Sequence, residues 1–143
     1  MELGIIKDGV PLVSKQYYEE HQIKNSAILR AGFLSGLNAF VEHTFSEEIE
    51  GFQMKNFKLM LTSRTIQNPN ATKIIFYCIG DKELDLNIVK KVISKVLDEF
   101  VKKYGHLKQL SGDLSKYLEF QQSMDKILGD LIRKPDDRVR SVF

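Results

Sequence analysis

The period of the hydrophobic pattern changes along the chain, and the first change predicts a hairpin followed by a helix. Leu3 to Lys7 is short, apolar and partly β-branched, which is typical of a strand, and Pro11 to Tyr17 is expected to be its partner. Asp8-Gly9 lies between them and is the strongest two-residue hairpin signal, because a type I′ turn needs positive φ at both positions. Asn25 or Ser26 is the expected N-cap of the helix that follows.

The stretch from Ala27 to Phe45 is predicted to be a helix that has no charged, solvent-exposed face. At about 100° per residue, its large apolar residues share one broad face: Leu29, Phe33, Leu34, Leu37, Phe40, Val41 and Phe45. We expect this face to lie on a sheet. A strip of small residues is expected on the other side, free to contact a partner: Gly32, Ser35, Gly36 and Ala39.

The pattern then changes to a period of two, which predicts further strands. Phe52 and Met54 alternate with polar residues, and a second alternating segment runs from Phe57 to Thr62, with Lys55-Asn56 as the turn between them. Lys73 to Ile79 is an almost unbroken apolar run, which is typical of a strand covered on both faces. The sheet is therefore expected to carry helices on each side.

Two amphipathic helices are expected at the end of the chain. The first runs from Asp85 as N-cap to Gly105 as C′ residue, and the second from near Asp113 to about Arg133. The predicted order is β-β-α-β-β-β-α-α, an α+β fold in three layers. We assign residues 1–134 to one domain and residues 135–143 to a C-terminal tail.

Composition narrows the class of protein without naming a function. The 143 residues are enough for one domain with a real core, and the net charge of +2 gives no strong field that would favour nucleic acid. A single cysteine, Cys78, excludes an internal disulfide and fits a reducing compartment. With no signal-peptide pattern at the N-terminus, we expect a cytoplasmic protein whose membrane association is at most peripheral.

No catalytic, cofactor or metal constellation is visible in the sequence. His21, His43 and His106 lie on different elements without ligand spacing, and Cys78 is expected to be a small buried residue. The glycine pair inside the helix lacks the Lys-Ser/Thr of a phosphate loop. We therefore expect no enzyme activity, no cofactor and no bound metal.

Two charged clusters have simple interpretations. Asp81, Glu83 and Asp85 are expected to form a solvated turn and a helix N-cap rather than a cation site. A lysine stripe is interpreted as the wet face of an amphipathic helix, with a patch for lipid or an acidic partner as the alternative: Lys90, Lys91, Lys95, Lys102 and Lys103.

From Leu3 to about Ile132 the chain resembles the longin domain, a profilin-like fold of vesicle-trafficking proteins. The segments that carry the resemblance are GIIKDGVPLVS, LRAGFLSGLNAFVEH, FQMKNFKLML and KIIFYCIGD. The resemblance implies a five-stranded antiparallel sheet in the order 2-1-5-4-3, with the first helix on one face and the last two on the other. The related roadblock domain begins with a helix, whereas this chain begins almost directly with a strand.

The resemblance implies an interaction module rather than an enzyme. Longin domains pair with each other, and such pairs bind small Ras-like GTPases or promote their nucleotide exchange. We therefore expect this chain to pair with itself or with another longin- or roadblock-like chain, through an interface formed by Gly32, Ser35, Gly36, Ala39, Phe52 and Met54. The alternatives are a roadblock-like GTPase regulator subunit and a profilin-like sensor domain that holds a small molecule.

Overall fold

The fold combines one antiparallel sheet with three helices. The computed structural model describes residues 1–17, 26–67, 71–105 and 117–129. The prediction of a mixed α+β fold with an antiparallel sheet is confirmed. In chain order its elements are β1 (Glu2–Lys7), β2 (Val10–Gln16), α1 (Ala27–Phe45), β3 (Gly51–Gln53), β4 (Phe57–Gln67), β5 (Ala71–Asp81), α2 (Leu86–Tyr104) and α3 (Phe120–Leu128).

The sheet has β5 at its centre. Its strand order is β2-β1-β5-β4-β3, and β5 pairs antiparallel with β1 on one side and with β4 on the other. Residues Ile74 to Cys78 of this strand are buried without interruption, as expected for a strand covered on both faces. The prediction that Lys73 to Ile79 forms the central strand is confirmed.

Alternate residues of β5 belong to two separate cores. Phe76 faces the larger core, which α2 and α3 cover, whereas Tyr77 faces the smaller core under α1. The larger core ends in a cluster of aromatic rings, in which the Phe100 centroid lies 5.0 Å from that of Tyr104 and 5.3 Å from that of Phe120. Helix α1 therefore lies alone on its face of the sheet, while α2 and α3 share the other.

The local signals at three turns and caps are confirmed. Asp8 and Gly9 have φ values of 51° and 78°, as the predicted hairpin turn requires. Ser26 is the N-cap of α1, where its Oγ accepts from the Leu29 amide at 3.3 Å. Asp85 is the N-cap of α2 and accepts from two amides of its first turn.

Several predicted boundaries are wrong by a residue or more. Strand β2 begins at Val10 rather than Pro11, and Gly105 is the C-cap of α2 rather than the residue after it. Within the described residues α3 begins only at Phe120, because the preceding turns are tight, with bonds such as Gln121 N–H to Leu118 C=O at 3.2 Å. The predicted start near Asp113, the end near Arg133 and the tail 135–143 lie outside the described residues.

The central position of β5 predicts a large penalty for truncating Phe76. Its ring is fully buried, so Phe76→Ala should lower the free energy of unfolding by about 3–5 kcal/mol through loss of apolar burial and formation of a cavity. Urea denaturation followed by circular dichroism measures this change. Ile88→Ala on the half-exposed outer side of α2 is the control, and an equal loss in the two variants would contradict the assignment.

Candidate partner-binding surface

Helix α1 makes its apolar contact with the sheet through few and mostly small side chains. Ala31 and Leu34 are its contributions to the smaller core, and the amide side chain of Asn38 is also buried. Beneath them the sheet supplies Ile6, Leu59, Leu61, Ile75 and Tyr77. Since the apolar contribution from the helix is small, other interactions help to determine which face it turns inward.

A buried polar network supplies such an interaction. Glu2 on β1 is 2% exposed, and its carboxylate accepts from Arg30 Nε at 2.8 Å and from Arg30 Nη2. The Tyr77 hydroxyl donates to the same carboxylate at 3.1 Å, and burial, followed by the nearby Glu2 charge, raises the pKa of this phenol above its ordinary value. The phenol therefore stays protonated as a donor.

Gly4 leaves room for this network. It lies opposite Tyr77 in the pairing of β1 with β5, and a Cβ at this position would collide with the Tyr77 ring. Glycine therefore lets the ring lie across β1, where its hydroxyl reaches Glu2. The pattern of residues in β1 does not by itself indicate this use of a glycine inside a strand.

A second polar contact holds the C-terminal half of the helix. Glu42 on α1 forms an ion pair with Lys73 on β5 and accepts from Asn38 Nδ2 at 3.5 Å. Together with Arg30, this places both charged residues of α1 on the side that faces the sheet. The charges that normally mark the solvent side of a helix therefore mark its inner side here.

The prediction that the broad apolar face of α1 packs on the sheet is wrong. Its large side chains point to solvent: Leu29 is 64% exposed, Phe33 63% and Phe40 60%. Of the residues assigned to this face, Leu34 alone is buried, while Leu37 and Val41 are half-buried and Phe45 is exposed. The polar contacts of Arg30 and Glu42 account for this orientation, since apolar pattern alone does not distinguish the two sides of the helix.

The small-residue strip is exposed beside the large apolar residues rather than opposite them. Gly32 and Gly36 are exposed, and a Cβ at either position would meet nothing within 4 Å. Ala39 is also exposed, whereas Ser35 is half-buried and its Oγ has no hydrogen-bond partner among the described residues. Three of the four predicted strip residues are therefore open to a partner.

The predicted edge strand adjoins this surface. β3 lies at the end of the strand order beyond β4, and Met54, which follows it, is 44% exposed. Met54 lines an apolar groove of about 290 Å³ together with Leu29 and Phe33. The backbone of Phe52 pairs with Leu59, but its side chain is not among those that the structure describes.

We define the outer face of α1 as Leu29, Phe33, Gly36 and Phe40, which are exposed and lie on one side of the helix at about 100° per residue. Sequence analysis placed several of these residues on the sheet and so missed them as surface. The one signal that would have found them is the position of Arg30 and Glu42, which lie together on the opposite side of the helix. Because these two charges pair with the sheet, the opposite side of the helix, which carries Leu29, Phe33 and Phe40, is turned outward.

The other residues that sequence analysis considered as candidates have roles in the fold or lie on its surface. Cys78 is buried in the larger core, and the Asp81 carboxylate accepts from the Glu83 amide at 2.9 Å. Within residues 1–17, 26–67, 71–105 and 117–129, no group of three or more His, Cys, Asp or Glu side chains is placed to hold a metal ion. The lysine stripe of α2 is exposed throughout.

Comparison with known proteins identifies no family. No protein-family description and no curated protein matches this chain. Among the described helices, none is both long enough and apolar enough to cross a membrane.

The Glu2–Arg30 pair predicts a large loss of stability when one partner is removed. Glu2→Ala leaves the guanidinium, whose side chain is 15% exposed, without its carboxylate, and should lower the free energy of unfolding by about 3–5 kcal/mol. Urea denaturation measures the loss. Glu83→Ala, at an exposed carboxylate away from α1, should change it by less than about 0.5 kcal/mol.

A double variant separates this pair from simple packing. Glu2→Ala combined with Arg30→Met removes both charges and should recover part of the stability, because no unpaired buried charge remains. If the double variant is less stable than Glu2→Ala alone, the ion pair is not the source of the loss.

Proposed function

We propose that this chain is a noncatalytic, longin-type interaction module. It pairs with itself or with another longin-like chain and, as a pair, binds or regulates a small Ras-like GTPase in a membrane-trafficking role. The observation that carries the proposal is the exposed apolar outer face of α1 beside the edge strand β3. The longin-like assignment is supported by the strand order β2-β1-β5-β4-β3 and by the position of α1 alone on one face of the sheet.

The size of the outer face supports a protein partner. Its three large side chains, Leu29, Phe33 and Phe40, are 60–64% exposed, which corresponds to roughly 400 Å² of apolar surface at ordinary side-chain areas. The largest apolar patch on a typical monomer is about 300–600 Å² and is often functional. Each partner in a standard interface buries about 800 Å², so the outer face together with Met54 supplies roughly half of one such surface.

The buried polar residues support binding on the surface rather than inside the fold. A sensor domain needs polar groups that converge on an internal ligand. The buried charged and amide side chains among the described residues are Glu2, Asn38 and Asp81, and each one makes an intramolecular hydrogen bond. Within the described part of the chain two buried hydroxyls have no such partner, but they do not converge on one site, because Tyr17 packs on the larger core and Ser35 lies on α1. This arrangement favours the interaction module over the small-molecule sensor.

The proposal predicts that a charge on the outer side of α1 abolishes pairing without unfolding the chain. Ala39 is exposed in the isolated chain, so Ala39→Arg should leave the melting temperature of the monomer unchanged, measured at a concentration at which the wild type is unpaired, while the bulky charge should block a paired helix. Light scattering and a thermal melt measure the two effects. Ser94→Arg, at an exposed position of α2 on the other side of the sheet, is the matched control and should pair as the wild type does.

The same variants test the link to a GTPase. Wild-type protein is immobilised and exposed to a panel of purified Ras-like GTPases, each nucleotide-free and GTP-loaded. We expect at least one GTPase to bind in a nucleotide-dependent way, Ser94→Arg to retain that binding, and Ala39→Arg to lose it. Paired wild-type protein that binds no GTPase in either state would contradict the GTPase part of the proposal.

A further inference from the structure

We infer that a second copy of this chain covers the outer face of α1 as an antiparallel helix. In this pair, Phe33 of each copy packs over Gly36 of the other. The inference rests on the proposed function, because it names the occupant of that same surface. It is carried by the spacing of the exposed residues, by their alternation of size and by a glycine that the isolated chain does not explain.

The exposed residues form a seam with coiled-coil spacing. Leu29, Phe33, Gly36, Phe40 and His43 follow one another at intervals of four, three, four and three residues, and all of them are exposed. This alternation is the pattern by which a helix packs along another helix. No acidic, lysine or arginine side chain interrupts it, so two copies can meet without burying an unpaired permanent charge.

Gly36 has no explanation within the chain. Glycine inside a helix is less favourable than alanine, and a Cβ at Gly36 would meet nothing within 4 Å. Close packing against the sheet is excluded as a reason, because this residue points to solvent. A large side chain of another molecule packed over this position would account for the missing Cβ.

An antiparallel pair fills that position with Phe33. When Phe33 of one copy lies opposite Gly36 of the other, the spacing of the seam also brings Phe40 opposite the second Leu29. Every large residue then has a partner of compatible size, and the twofold symmetry repeats each contact. The next seam position at each end brings the N-cap Ser26 opposite His43.

The groove beside Met54 agrees with this register. Leu29 lines the groove of about 290 Å³ together with Phe33 and Met54. Because Phe40 of the second copy lies opposite Leu29, its ring is directed at this groove. The groove therefore supplies apolar contact for the ring that extends furthest from the symmetry axis.

The alternative arrangements leave mismatched layers. In a parallel pair Gly36 faces Gly36 and Phe33 faces Phe33, which leaves a void in one layer and crowding in another. An antiparallel pair shifted by seven residues in one direction puts Phe33 opposite Leu29 and leaves Gly36 without an aromatic neighbour. A shift by seven residues in the other direction puts Gly36 opposite Phe40, but Phe33 then faces His43. Of these arrangements, the register with Phe33 opposite Gly36 gives the largest number of facing residues of compatible size.

The helix ends are also complementary in the antiparallel arrangement. The first turn of α1 contains no acidic residue that would offset the positive end of its dipole. Glu47 follows the C-terminal end of α1 and is exposed. In the antiparallel pair this carboxylate lies near the N-terminus of the other helix, where negative charge is favourable.

The test exchanges the sizes of the two facing residues. Sedimentation velocity at micromolar concentration is expected to show a wild-type dimer. Gly36→Leu should raise the dissociation constant at least tenfold, because the added side chain meets Phe33, and Phe33→Ala should also weaken the dimer. Gly36→Leu combined with Phe33→Ala should pair more tightly than either single variant, since the large and small residues have exchanged places.

Two controls keep the result specific. At concentrations at which the wild type is monomeric, the melting temperature of Gly36→Leu should not fall below that of the wild type, because leucine is a better helix former than glycine and has open space at this position. Ser94→Leu adds the same side chain to an exposed position of α2 and should leave the dimer unchanged. Together they separate loss of the interface from loss of the fold.

Each other outcome overturns the inference. A dimer that Gly36→Leu does not weaken would place the contact elsewhere. Failure of Phe33→Ala to rescue Gly36→Leu would exclude this register, and a parallel pair, in which Gly36 faces Gly36, would give that result. A wild-type monomer would exclude self-pairing. If that monomer still binds a GTPase or another longin-like chain and Ala39→Arg abolishes the binding, the proposed function stands although self-pairing fails.

Discussion

The orientation of α1 depends on the buried contact between Arg30 and Glu2. The helix is apolar on nearly every side, so burial of hydrophobic surface favours several rotations about its axis. A guanidinium held by two of its nitrogens to one carboxylate permits far fewer, and the Tyr77 hydroxyl fixes that carboxylate from the sheet. Buried ion pairs add little net stability but strongly penalise arrangements that leave one charge unpaired. Here that penalty determines which residues of α1 reach solvent.

The two cores contribute differently to the molecule. The core under α2 and α3 is large and rich in aromatic rings, so it can hold the sheet together by burial alone. The core under α1 is small, and Ala31 and Leu34 are the helix's buried apolar residues within it. Large side chains that another helix would use for internal packing are therefore left on the surface. A thin inner contact and an apolar outer face are two results of the same polar anchoring.

The fold was largely predictable from the sequence, whereas the surface was not. Asp8-Gly9, the N-cap of α1 and Asp85 are local signals whose outcome depends on a few neighbouring atoms, and the structure confirms all three, with Ser26 the cap of the two predicted candidates. The unbroken apolar run in β5 also predicted its central position in the sheet correctly, because a strand that is apolar on both faces must be covered on both faces. The rotation of α1 depends instead on Glu2 and Tyr77, which are 28 and 47 residues away from Arg30 in the chain. A periodicity within the helix contains no information about such distant partners.

The outer face of α1 also bears on how this protein persists in a cell. A chain with three exposed phenylalanines on one helix presents to its surroundings the same kind of surface that chaperones and proteases recognise on incompletely folded proteins. Covering that helix removes the signal, whereas an orphan copy retains it although its fold is complete. The amount of this protein should therefore follow the supply of whatever covers α1, so that assembly sets abundance as well as activity.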